Sequence, residues 1–173
     1  MQFKRKALRL FLHRGERFVR ACSFFVIYWL SLKTWEISSQ DIRWKQRFQN
    51  YEKAFKRLSR AIKVVKSAPD DDLLQSGLIQ TYEYTFELAW KTLKDYLTLE
   101  GFEVRSPRET IRQGFQSGYI MNGEDWLQAL ADRNLTTYIY DDKIIARVLS
   151  DIFERYFFLL QDFYISFKEK ADE

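Results

Sequence analysis

The chain has 173 residues, enough for one domain with a sizeable core, and its 46% hydrophobic and 17% aromatic content excludes a disordered chain. Only two prolines and six glycines interrupt it, which favours long helices. Residues 1–40 hold 8 Lys+Arg against 2 Asp+Glu, while residues 41–173 hold 20 against 22, so the net charge of +4 lies entirely in the first forty residues. The remainder has no basic block of the kind a nucleic-acid-binding face needs, and the pI of 9.1 is no sign of DNA binding.

The basic stretch "MQFKRKALRLFLHRGERFVR" precedes an apolar run, Ala21–Leu32. Twelve residues are too few for a membrane span, which needs about 20. A signal peptide would have a shorter basic region and an A-x-A-like cleavage site, and "KTWEISSQD" offers none. Residues 1–40 are therefore expected to lie outside the domain, as an extension arising from an early start codon. A basic amphipathic anchor, making the chain a membrane-tethered adaptor, is the alternative. Residues 41–173 form the predicted domain.

From Trp44 the apolar residues Phe48, Tyr51, Phe55, Leu58, Ile62 and Val65 follow at alternating steps of four and three, a helical seam. Pro69 predicts its end near Ser67. Acidic caps in "PDDD" then predict a second helix from about Leu73 to Leu99. Its seam is Ile79, Tyr82, Phe86, Trp90, Leu93 and Leu97, widened by Leu78, Thr85 and Ala89, and Gly101 suits the C′ position. "SPRET" predicts a short helix with Ser106 as N-cap, Pro107 at N1 and Glu109 completing a capping box. "EDWLQALADRN" predicts a fourth helix, and the last runs from Asp141 or Asp142 to about Lys168. On that helix Ile145, Val148, Ile152, Tyr156, Leu159 and Phe163 make a seam. Phe153, Phe157, Phe158, Leu160, Tyr164 and Phe167 lie on other faces and exceed what one core should use, which predicts a homodimer through the long helices. Three long helices and two short ones imply an all-α, antiparallel up-and-down four-helix-type bundle.

The only cysteine, Cys22, and the only histidine, His13, precede residue 41. This excludes a disulfide framework within the chain and, in the main domain, a Cys/His zinc site, a Ser-His-Asp triad and a Cys-His pair. It fits a reducing, cytoplasmic setting. Glu83 and Glu87 share a helix face as carboxylates of di-metal bundles do, but the histidines of such sites are missing, and Glu87 is expected to pair with Lys91. Ser106 at a helix N-terminus could hold an anion with Arg105 or Arg108, or simply cap.

The segment "DRNLTTYIYDD", Asp132–Asp142, has two readings. In one it is a helix end, a connector and a new N-cap, with Arg133 on C-terminal carbonyls. In the other Arg133 and Asn134 present donors to a phosphate or carboxylate, with Tyr138 and Tyr140 as hydroxyl donors or group acceptors.

Together, "FELAWKTLKDYL", "SPRETIRQ" and "RN" followed by "YD" resemble the nucleotidyltransferase substrate-binding protein family, small bacterial all-helical proteins related to HEPN domains. The resemblance runs from about Asp41 to Phe167. It implies a non-catalytic subunit that pairs with a separate minimal nucleotidyltransferase encoded nearby. That partner would bind Mg²⁺ and nucleotide, leaving this chain without a cofactor. Related pairs are toxin–antitoxin systems in which the partner adenylylates a tyrosine of a HEPN RNase. Of the HEPN pattern Arg, four residues, His, one residue, Tyr, Arg133 matches the arginine, Asn134 follows it, and Tyr140 matches the AMP-accepting tyrosine, with Asp141 after it. Tyr138 stands at the histidine position, and a phenol with an unperturbed pKa near 10 is a poor general acid/base at neutral pH, which argues against RNase activity. The alternatives are a HEPN-type RNase using Arg133 and Tyr138, and the membrane-tethered adaptor.

Overall fold

The computed structural model describes the backbone of residues 15–135 and 142–172, and side chains over 41–135 and 143–172. The chain divides into two compact units, 1–39 and 40–173. The described residues are all-α, in helices α1 (Gly15–Ser67), α2 (Asp72–Leu99), α3 (Pro107–Gln116), α4 (Gly123–Leu135), α5 (Asp142–Asp151) and α6 (Phe157–Asp172). A single π-helical turn, Ile152–Tyr156, joins α5 to α6, so 142–172 is one long helical run. With α1 and α2 it makes the expected three long helices, and α3 and α4 are the two short ones. None of the described helices is long and apolar enough to cross a membrane.

All seven seam residues of α1 from Trp44 to Val65 are buried. They meet α2 and α6: the Trp44 ring packs edge-on against Tyr96 at 5.1 Å and Phe55 stacks on Phe157 at 5.4 Å. Offset and edge-on contacts of this kind add to the area buried. The two buried phenols on these helices donate across helices, Tyr51 Oη to the Leu160 carbonyl at 2.6 Å and Tyr82 Oη to the Ala129 carbonyl at 3.1 Å. Buried hydroxyls need such partners, because an unpaired one costs about 1–3 kcal/mol.

The helix ends follow the local chemistry. Asp71 caps α2 by accepting from the Leu74 amide at 3.0 Å. Gly101 ends it at φ 88°, where a side chain would be strained, and the Phe102 amide closes back on the Leu97 carbonyl at 2.9 Å. The capping box at α3 is complete: Ser106 Oγ accepts from the Glu109 amide, while the Glu109 carboxylate accepts from the amides of Arg105 and Ser106. Of the two readings of Ser106, capping is the one formed, with the Glu109 carboxylate on the amides that lead into the helix.

The last helix corrects the expectation of a surplus apolar face. Leu160 and Phe167 are buried in this chain's own core, and Phe153, Phe157 and Tyr164 pack against it half-buried. The buried positions Val148, Ile152, Tyr156 and Leu160 recur every four residues, a spacing that would rotate by about 40° per step around an α-helix. The wider π turn at Ile152–Tyr156 absorbs that drift and keeps all four inward. Phe158 and Ile165 remain exposed, seven residues apart on α6.

Candidate functional site

The three sequence pieces "FELAW", "SPR" and "RN" come together at one groove of about 390 Å³. Helix α2 contributes Glu87 and Trp90, the start of α3 contributes Ser106, Pro107 and Arg108, and the last two turns of α4 contribute Leu127, Leu130, Ala131, Arg133 and Asn134. Small-ligand sites occupy about 300–1,000 Å³ and combine apolar walls with a few placed polar groups, as this groove does.

Glu87 is the hub of its polar side. Its carboxylate receives Lys91 Nζ at 2.6 Å on one oxygen and Arg133 Nη2 at 2.5 Å on the other. The expected Glu87–Lys91 pair is therefore present, with an unforeseen second cation from α4. The hydrogen bond from Lys91 and the two positive charges hold the Glu87 carboxyl below its ordinary range, against the opposing effect of partial burial. Arg133 also donates to Asn134 Oδ1 at 3.3 Å, and both residues line the groove. Tyr138, Tyr140 and Asp141 lie outside the described residues.

On the opposite side of α4, Asp132 is fully buried. It accepts from Tyr156 Oη at 2.5 Å, from Arg147 Nη2 at 2.9 Å and Nη1 at 3.1 Å, and from Gln128 Nε2 at 3.2 Å. Burial alone would raise its carboxyl, but the hydrogen bonds from Arg147 and Tyr156 outweigh it and hold the group below the usual carboxylate range. The Tyr156 phenol is pushed strongly upward, first by burial and then by the adjacent carboxylate. This cluster ties α4 to α5 and to the π turn on both flanks of residues 136–141.

Sequence reasoning places Trp90 in the core seam, whereas it stands half-buried at the groove. It places Tyr156 in the seam of the last helix, where it is buried, but foresees no polar cluster joining it to Asp132 and Arg147. A signal for Asp132 exists: with the buried Trp126 and Ala129 it completes an i, i+3, i+6 stripe on α4. Among the described residues no group of three His, Cys, Asp or Glu side chains is placed to hold a metal ion.

The family model for "Nucleotidyltransferase substrate binding protein like" matches residues 46–169. A crystal structure of ttk003001694 from Thermus thermophilus is similar, with 26% identity and a TM-score of 0.59, over 71% of this chain and 99% of that one. No curated protein matches the sequence. The matched residues include all of the groove and all of the Asp132 cluster, and the chain belongs to the nucleotidyltransferase substrate binding protein-like family.

Proposed function

We propose that this chain is the substrate-holding subunit of a two-component nucleotidyltransferase. A separate minimal nucleotidyltransferase supplies the nucleotide, the Mg²⁺ and the transfer chemistry. This chain holds the substrate in the groove between α2, α3 and α4, with Arg133 and Asn134 as donors. The observation that carries the reading is the convergence of the three family-bearing sequence pieces on that one groove. The absence of histidine and cysteine from residues 41–173 agrees with a binding role, since the acid/base and nucleophile chemistry those residues supply is missing. Self-association through the stripe of Phe158 and Ile165, and a toxin–antitoxin pairing in which Tyr140 accepts AMP, are the finer parts of the same proposal.

Co-expression with the minimal nucleotidyltransferase encoded beside it tests the reading. A stable complex at micromolar concentration, whose transfer activity falls on Arg133→Ala, is expected. Separate elution of the two chains would sink it. Intact-mass analysis after incubation with ATP and Mg²⁺ then distinguishes the two roles: an AMP adduct on Tyr140 makes this chain the acceptor, and its absence makes it the holder.

A further inference from the structure

We propose that the groove receives a phosphate-bearing ligand with a flat apolar body, of the size of a nucleoside monophosphate, and that Glu87 is an internal counter-anion which the phosphate displaces from Arg133. The inference rests on reading the groove as the substrate site. Its starting point is the three-membered chain Lys91–Glu87–Arg133, in which one carboxylate sits between two cations at 2.6 and 2.5 Å. Arg133 and Glu87 are each about one-third exposed, so an anion from solvent can reach the pair. A guanidinium binds phosphate in the same forked geometry it uses for a carboxylate, and more strongly for the greater charge.

Displacement leaves no stranded charge. When the phosphate takes Arg133, Glu87 keeps Lys91. Arg108, from the first turn of α3, lines the same groove. With Lys91 and Glu87 neutralising one another, two positive charges face the ligand, against about −1.5 to −2 on a phosphate monoester at neutral pH. The Glu87 carboxyl is held low by its two partners and stays ionised throughout this range, so the competition persists at neutral pH. The apolar body has its own place. Trp90 is the one member of the α2 seam left half-buried, and Leu127 and Leu130 of α4 line the groove with it. An indole face with aliphatic neighbours suits a planar base, because stacking on aromatic side chains tolerates any base.

The experiment titrates the full chain with AMP, adenosine and inorganic phosphate in parallel, following the Trp90 indole NMR signal identified by Trp90→Phe. AMP is expected to bind more tightly than either fragment. Arg133→Ala should weaken it tenfold or more, as loss of a charge-assisted bond implies. Glu87→Gln should tighten it about two- to fivefold, the worth of a part-exposed ion pair, and Glu124→Gln, which removes one negative charge outside the groove, should leave it unchanged. If Glu87→Gln binds AMP no more tightly than the parent, the counter-anion role is wrong. Failure of all three probes to bind either the parent or Glu87→Gln overturns the ligand class. Failure of the underlying reading is separate: filling the groove with Leu130→Trp would then leave transfer by the reconstituted pair unchanged.

Discussion

Asp132 is the residue whose loss should be felt most widely. Its carboxylate is fully buried and accepts four hydrogen bonds, from Tyr156, Gln128 and both terminal nitrogens of Arg147. The side chain of Arg147 is 45% exposed, so water screens its two bonds, which together are worth about 1 kcal/mol. The Tyr156 bond is buried and charge-assisted, worth about 1.5–3 kcal/mol. Asp132→Ala therefore costs about 3–4 kcal/mol, since it also leaves the Tyr156 hydroxyl buried without its acceptor. Asp132→Asn keeps an acceptor for Tyr156 and loses the charge, at about 1.5 kcal/mol. For a chain of this length each kcal/mol lowers Tm by about 2–4 °C, so thermal unfolding separates the two variants. A double-mutant cycle combining Asp132→Ala with Tyr156→Phe isolates the central bond, with an expected coupling of about 1.5–3 kcal/mol. Single substitutions that each cost under about 0.5 kcal/mol, or that add without coupling, would refute the buried-network reasoning.

Gly114 and Gly123 should answer differently to alanine. A Cβ at Gly114 would come within 2.7 Å of Leu93 Cδ2 in a fully buried side chain, so Gly114→Ala costs about 1–3 kcal/mol in a denaturant melt. At Gly123 the close neighbours are Phe115 Cγ at 2.8 Å and Cβ at 3.1 Å; the 52% exposed ring can turn aside, leaving a small shift to clear Cβ, so Gly123→Ala is milder. Phe86→Ala should cost about 3–5 kcal/mol and Trp90→Ala clearly less, because Phe86 is core and Trp90 stands at the groove. The pH profile should fall at both ends. Asp132, Glu87 and Glu52 have carboxyls held below their unfolded values, so the stability they give is present above about pH 4 and is lost as pH falls through the folded values. Tyr51, Tyr82 and Tyr156 are raised, chiefly by burial, so the unfolded chain releases their protons first and stability declines as pH rises above about 10. Chemical denaturation across pH 3–11 reads both limbs, and a flat alkaline limb would contradict the burial of the three phenols.

The helices are legible because their signals are local. The 4-3 spacing from Trp44 to Val65, the acidic cap before α2, Gly101 and the capping box from Ser106 to Glu109 each act within a turn or two of chain. In the helical run 142–172 the seam is legible too, since Val148, Ile152, Tyr156, Leu159 and Phe163 are buried, but its breadth is not. Periodicity assumes 3.6 residues per turn, and one π turn widens the buried face, so the pattern alone leaves Leu160 and Phe167 off the core. The groove is half legible. Its members stand out one by one, but nothing local in the sequence pairs Glu87 with Arg133 across 46 positions, or tells which member of an apolar seam stays half open. Asp132 is hidden by its type: an acidic residue in a polar segment reads as solvated, and only its stripe with Trp126 and Ala129 points inward.

The two polar clusters are linked through consecutive residues. Asp132 and Arg133 are neighbours on α4, so their side chains leave the helix about 100° apart. Asp132 is pinned inward by α5 and the π turn, and that rotational setting of α4 directs Arg133 toward Glu87 on α2. The buried cluster is thus a positioning device for the groove donor as well as a source of stability. Asp132→Ala should therefore weaken groove binding even at temperatures where the chain stays folded, whereas Gly114→Ala, destabilising at a site away from α4's last turn, should not. Equal losses of binding from both variants at matched stability would mean that the groove reports only global stability, and that the inward anchoring of α4 does not set the direction of Arg133.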